Sequence, residues 1–219
     1  MATSFDLFGT LVAVDRPADP AAAVGDELRD RGVAVPDDWA AAYAETHVEA
    51  PAGAEVPLPA HVSAALRSRG VDAPANAPRR AVVAAFDPAV RTRPGAVAAV
   101  TAAADRGPVG LLSNCSVPEL VARTLIRSDL DRGAFDATVS SVACGWRKPH
   151  PEAFETLAGH LAVDAASLVH VGDDPATDGG VADVGGRFVD VTEAGLDAVA
   201  DALRRGESLG DLSEDGPCP

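Results

Sequence analysis

Lysine is all but missing from this chain. Of its 18 basic residues only Lys148 is a lysine, and the others are arginine. Positive charge of either kind is scarce, because 33 acidic residues leave a formal net charge of -15. A chain so negative repels nucleic-acid phosphates and anionic membranes, so neither is an expected partner. No apolar run approaches the ~20 residues of a membrane-spanning helix. The N-terminus moves straight into strand-like residues without a basic and then apolar leader, so the expected location is the cytoplasm. The cysteines, Cys115, Cys144 and Cys218, lack the paired spacing of a disulfide framework or zinc site and read as two core thiols and one tail thiol. Arginine in place of lysine, with abundant Ala, Asp, Gly, Val and Pro, points to a GC-rich genome. The acid excess points to a salt-loving cytoplasm, where screening limits self-repulsion.

What is present suffices for one sizeable core with room for a smaller lobe: 219 residues, 47% of them hydrophobic. Residues 2–7 read as a buried strand. From Asp15 to about Val90, Ala-rich helical segments follow one another between Pro and Gly breaks, with no strand signal among them. Beyond them come "RPGAVAAVTAAADRG" as a helix, "PVGLLSN" as a strand and "VPELVARTLIRS" as a helix. "FDATVSSVACG" is a strand, "HPEAFETLAGHL" a helix, "SLVHVGDD" and "GRFVDV" strands, and "EAGLDAVADALRRG" a last helix. Alternation of this kind predicts an α/β fold with a doubly wound parallel sheet. The helical block is too long for a crossover and is expected to be an inserted domain. The expected division is residues 1–15 and 92–206 for the core, 16–91 for the helical insert and 207–219 for an acidic disordered tail. Ligands of such sheets bind at the carboxyl ends of the strands, where Asp6, Ser113, Asn114, Asp173 and Asp174 all fall.

Four stretches taken together, "FDLFGTLV", "LLSN", "GWRKPHPEAF" and "HVGDDPATD", resemble the motifs of the haloacid dehalogenase-like (HAD) hydrolase superfamily in order, spacing and context. The resemblance runs from Ser4 to about Arg205, and the helical insert matches the position of the family's C1-type cap. It implies a Rossmann-like core with an all-helical cap. Asp6 would be the nucleophile, forming a covalent aspartyl intermediate. Thr10, Ser113 and the backbone around Asn114 would hydrogen-bond the oxygens of the transferring group, and Lys148 would hold Asp6 and an anionic substrate together. Asp6, the Phe8 carbonyl and Asp173 would hold a divalent cation, with Asp174 and Asp178 completing the shell directly or through water. Hard oxygen ligands with room for waters point to Mg²⁺. His47, His61, His150, His160 and His170 have no ligand spacing and read as surface or satisfied core residues. Trp146 and Arg147 either frame the mouth of the site or simply pack.

Phe8 departs from the pattern. The family's phosphatases place an aspartate two residues after the nucleophile, to protonate the leaving alkoxide. Relatives resembling haloacid dehalogenases have a non-acidic residue there, since a halide leaves without a proton. Asp173 points the other way, because metal-free dehalogenases have neutral residues at its place. The favoured expectation is a Mg²⁺-dependent phosphatase acting on a small anionic metabolite. The alternatives are a metal-independent 2-haloacid dehalogenase and a non-catalytic phosphate-ligand binding protein.

Overall fold

The computed structural model describes residues 1–74, 76–209 and 212. Strand β1 (Ala2–Phe5) is buried throughout. After a turn comes β2 (Val12–Val14), and then helices α1 (Pro20–Asp30), α2 (Trp39–Ala44), α3 (Leu58–Ser68) and α4 (Ala77–Ala85). Strand β3 (Val90–Thr92) returns antiparallel to β2, so this two-stranded ribbon closes off the helical insert. There follow α5 (Ala96–Ala104), β4 (Val109–Ser113), α6 (Leu120–Arg127), β5 (Ala137–Ser140), α7 (Ser141–Cys144), α8 (Pro151–His160), β6 (Leu168–Gly172), β7 (Arg187–Asp190) and α9 (Leu196–Arg205).

The main sheet has the order β5-β4-β1-β6-β7, and all its pairings are parallel. Its strands are short, and the three central ones, β1, β4 and β6, are buried throughout, as parallel strands covered on both faces are. Helices α5 and α9 pack together on one face. Helix α8 covers the other, burying Phe154 and Leu157. The apolar core on the α5 and α9 side continues into the insert through Val24, Leu28, Trp39, Val62, Leu66 and Val82. Local signals start the helices where the sequence suggests. Asp19 caps α1 by accepting from the Ala22 N–H at 2.9 Å, with Pro20 at its first position.

Register decides where the chemistry gathers. Phe5 of the central strand lies level with Leu111 of β4 and Val171 of β6. Asp6, Ser113 and Asp173 therefore leave the sheet at the same carboxyl edge.

The structure differs from the sequence expectations at several elements. The β2 and β3 strands, unanticipated, are three residues each and too short to show a period of two. The stretch expected as one strand over "FDATVSSVACG" is strand only at Ala137–Ser140 and becomes a helical turn from Ser141, closed by Gly145 at φ +86°. "PDDWAAAYAETHV" is helical only at Trp39–Ala44. Ordered packing reaches into the stretch expected as a disordered tail: Leu209 is fully buried and Glu207 pairs with Arg205. Residues 210, 211 and 213–219 of that tail, Cys218 among them, lie outside the described residues.

Candidate active site

Asp6 follows directly on β1 and is only 7% exposed. Its main-chain N–H donates to the Val171 carbonyl at 2.9 Å, which fixes it between β1 and β6. The chain then turns sharply: Leu11 and Val12 N–H groups donate to the Leu7 carbonyl, and the Gly9 N–H to the Val12 carbonyl. None of these turn-closing bonds uses the Phe8 carbonyl. Gly9 has φ +100°, and a Cβ there would lie 2.2 Å from Asp173 Oδ2. Only glycine lets the turn pass so close beneath that carboxylate. Thr10 Oγ1 donates to Asp173 Oδ1 at 2.7 Å, so the first and last motifs are tied side chain to side chain.

Lys148 is 3% exposed, and its Nζ donates to Asp6 Oδ1 at 2.8 Å, to Asp178 Oδ1 at 2.5 Å and to the Leu112 carbonyl at 2.9 Å. Asn114 holds the lysine's backbone from both sides. Its Nδ2 donates to the Lys148 carbonyl at 2.9 Å, and its Oδ1 accepts from the Lys148 N–H at 2.8 Å. The Ser113 hydroxyl, at the end of β4, is buried and has no hydrogen-bond partner among the described residues. A buried hydroxyl left unpaired is costly in a folded protein and invites a ligand oxygen.

Two of the acids expected in the site have other partners. Asp178 opens a short 3₁₀ turn (Asp178–Val184) and spends both oxygens inside the protein. Oδ1 meets Lys148 and, at 3.1 Å, His170 Nε2, while Oδ2 accepts from the Asp174 N–H at 3.1 Å. It therefore anchors the lysine. Asp174 is exposed, and its carboxylate closes its own loop on the Ala176 N–H and the Thr177 hydroxyl.

His170 is a member of this cluster that sequence reasoning left in the core. It is fully buried, facing Ser4 across the sheet, with Nδ1 2.8 Å from the Ser4 hydroxyl. With Nε2 donating to Asp178, Nδ1 accepts from Ser4. The signal available was a histidine in the middle of an apolar strand that ends in the acidic motif. Glu55 was also missed. Although it lies in the insert, its side chain is buried, and it accepts from the Ser141 hydroxyl and from Arg147 Nη1. Backbone bonds from Glu55 N to Gly145 O, Arg147 N to Gly53 O and Leu58 N to Ser116 O bind this segment to the core loops. Beside it Trp146 stacks on His150, with ring centroids 4.0 Å apart.

The charges do not balance locally, since Asp6 and Asp178 share one ammonium and Asp173 adds a further negative charge beside Asp6. Burial, and then the Asp178 and Asp173 carboxylates, raise the Asp6 carboxyl to about 6 against the pull of Lys148. Burial and the Lys148 charge depress His170 to about 4, so the ring is neutral. Burial alone would raise Asp178, but the His170 hydrogen bond and Lys148 hold it well below the usual carboxylate range. Among the described residues, no three His, Cys, Asp or Glu side chains gather closely enough to hold a metal alone. Mg²⁺ does not demand that, because it keeps several waters and needs only one or two carboxylates. Asp6, Asp173 and the Phe8 carbonyl are hard oxygen donors at one strand edge with a net negative charge, and this set fits such an ion.

Over residues 2–183 the chain matches the haloacid dehalogenase-like hydrolases, and it belongs to that family. No curated protein matches it. Among solved structures it is similar to a 2-haloacid dehalogenase from Pseudomonas syringae pv. Tomato DC3000, with 20% identity, a TM-score of 0.62, and 94% of this chain and 98% of that one covered. It is also similar to a HAD phosphatase from Thermococcus onnurineus, with 20% identity, a TM-score of 0.54 and coverage of 89% and 87%. CbbY from Rhodobacter sphaeroides, solved in complex with phosphate, gives 18% identity, a TM-score of 0.55 and coverage of 85% and 84%. At these identities the likeness defines the fold and leaves the choice between phosphate and halide chemistry to the site.

Proposed function

We propose that the chain is a Mg²⁺-dependent phosphohydrolase acting on a small phosphorylated substrate through an aspartyl-phosphate on Asp6. The observation that carries the reading is Asp173, tied to Thr10 against the turn that carries Asp6. A second carboxylate there is unfavourable beside Asp6 and an anionic substrate unless a cation offsets it. Held by Asp6, Asp173 and the Phe8 carbonyl, Mg²⁺ would supply charge that polarises the phosphoryl oxygens.

The chain's own groups account for the remaining steps. One carboxylate oxygen of Asp6 attacks phosphorus, and the bond to the leaving oxygen breaks with its electron pair on that oxygen. Lys148 Nζ, fixed by Asp178, stays beside Asp6 and stabilises the charge on the group in transfer. The unpaired Ser113 hydroxyl donates to one of its oxygens. Water then attacks the phosphorus, the bond to Asp6 breaks, and the carboxylate is restored. The helical insert, residues 16–91, acts as a cap that excludes bulk solvent. Phe8 gives no proton to the leaving group. General acid catalysis is worth about 10²–10⁴-fold, against accelerations that reach ~10²¹ for phosphate monoesters, so its loss slows a phosphatase without abolishing it. Substrates whose leaving group departs as a stable anion are favoured accordingly.

Phe8 also supports a second reading, a 2-haloacid dehalogenase, in which halide would leave from carbon. The test is phosphate release from p-nitrophenyl phosphate and acetyl phosphate beside bromide release from 2-bromopropionate, with Mg²⁺ and with EDTA. The expected outcome is phosphate release that EDTA abolishes and Mg²⁺ restores. Asp173→Asn should lower kcat/KM at least about 100-fold, near 2.7 kcal/mol. Bromide release that ignores EDTA would overturn the phosphatase reading, and ligand binding without turnover would leave a binding protein.

A further inference from the structure

A cavity of about 240 Å³ lies between the insert and the core, and Phe8 and Asn114, which flank the nucleophile's strand end, are in its wall. Most of the remaining wall is apolar, from Val14, Leu58, Phe86, Val117 and Leu120 among others. Both connections to the insert contribute, Val14 to Pro17 on one side and Phe86 with Pro88 on the other. An apolar cavity of ~150 Å³ holds benzene, so this one has room for a ring and a substituent.

Three charged side chains break the apolar wall, and two of them are already paired. Asp15 is held by Arg91 through bonds of 2.9 and 2.7 Å. Arg147 is held by Glu55 at 2.9 Å. Arg16 is exposed to solvent where it lines the cavity, and it has no ion pair or hydrogen bond among the described residues. A guanidinium without a protein partner, held beside an apolar pocket, is complementary to one planar anion that the pocket's occupant could carry. Apolar pockets with a few polar groups that fix orientation are the usual form of small-molecule sites.

We infer that this cavity receives the leaving-group end of the substrate, an apolar, ring-sized body bearing one carboxylate that pairs with Arg16. The inference rests on the phosphohydrolase reading and names its substrate class: aryl phosphates with a carboxylate on the ring. An aryl oxygen suits Phe8. When Asp6 attacks phosphorus, the P–O bond breaks with its electrons on the phenolic oxygen, which departs as phenolate without needing a proton. Water then releases inorganic phosphate from Asp6, so one water is consumed per turnover.

The experiment compares 4-carboxyphenyl phosphate with its neutral amide counterpart, 4-carbamoylphenyl phosphate, on the full chain with Mg²⁺. The wild-type protein should favour the carboxylate by at least about tenfold in kcat/KM, and Arg16→Gln should bring the ratio to within twofold of one. A wild-type ratio near one, or a preference that survives in Arg16→Gln, overturns the assignment. Calorimetric titration of 4-hydroxybenzoate, the free leaving group, separates this from the reaction itself, and its affinity should fall at least tenfold in Arg16→Gln. If that binding holds while no phosphate ester is cleaved, the phosphohydrolase reading fails and the pocket stands. If esters are cleaved with no carboxylate preference, the pocket assignment alone fails. Neither cleavage nor binding would overturn both.

Discussion

Lys148 shows at the scale of one residue why a scarce side chain is kept. Every other basic position uses arginine, yet here three acceptors, from Asp6, Asp178 and Leu112, converge on one point 2.5 to 2.9 Å away. A compact ammonium with three rotatable donors meets that geometry, and a planar guanidinium fork does not. Lys148→Arg should therefore lower kcat/KM at least about 30-fold, close to 2 kcal/mol. Retention of more than about a third of the wild-type value would mean that the lone lysine is dispensable. The lysine's rarity was visible in the sequence. Its anchor was not, because Asp178 lies 30 positions away in the chain and belongs by spacing to the acidic motif.

Among the elements, the turn from Asp6 to Val12 depends most on one residue type. Gly9→Ala meets two costs: a positive φ that L side chains avoid, and a Cβ within 2.2 Å of Asp173 Oδ2. Gly32, after α1, shares only the first, with φ +75° and nothing within 4 Å of the added atom. Gly32→Ala should cost about 1 kcal/mol of stability and leave Mg²⁺ affinity unchanged. Gly9→Ala should cost more, about 2–3 kcal/mol, and should also weaken Mg²⁺ binding, because Asp173 must leave Thr10. Denaturant unfolding and Mg²⁺ calorimetry on both variants check this, and equal Mg²⁺ affinities would remove Asp173 from the metal set. The helices of the insert were legible because Pro and Gly punctuate them. The β2–β3 ribbon was not, since its strands exist by pairing with each other across about 75 residues of chain.

Stability as a whole carries two opposed titrations. Asp6, raised to about 6, binds its proton more tightly folded than unfolded, so acidification through that range favours the folded state. His170, lowered to about 4, refuses a proton that the unfolded chain accepts below about 6.5, so the same acidification favours unfolding, by up to about 3 kcal/mol. Asp178, held below the carboxylate range, loses its contribution only at lower pH. His170→Asn removes one side of the balance. Between pH 7 and pH 4.5, in EDTA, its unfolding free energy should fall less than that of wild type, by about 1–3 kcal/mol. Urea unfolding at the two pH values checks this, and parallel curves would show that His170 titrates as an ordinary histidine.

By itself the sequence determined the alternation of strands and helices, the parallel α/β class, the helical insert after the first strand, and the four motifs that resemble HAD hydrolases. These are local patterns of period, punctuation and spacing, and they survive without knowledge of what packs on what. Only the tertiary structure decided which acid serves which partner. Asp173 lies over Gly9, Asp178 holds the lysine, Asp174 closes its own loop, and His170 is drawn into the buried cluster through Ser4. It also placed Arg16 at an apolar cavity with no partner among the described residues, while giving Arg147 and Asp15 theirs. Pairing among buried polar groups depends on distances that sheet register and insert docking set, and residues 30 to 163 positions apart carry no mark of them in sequence.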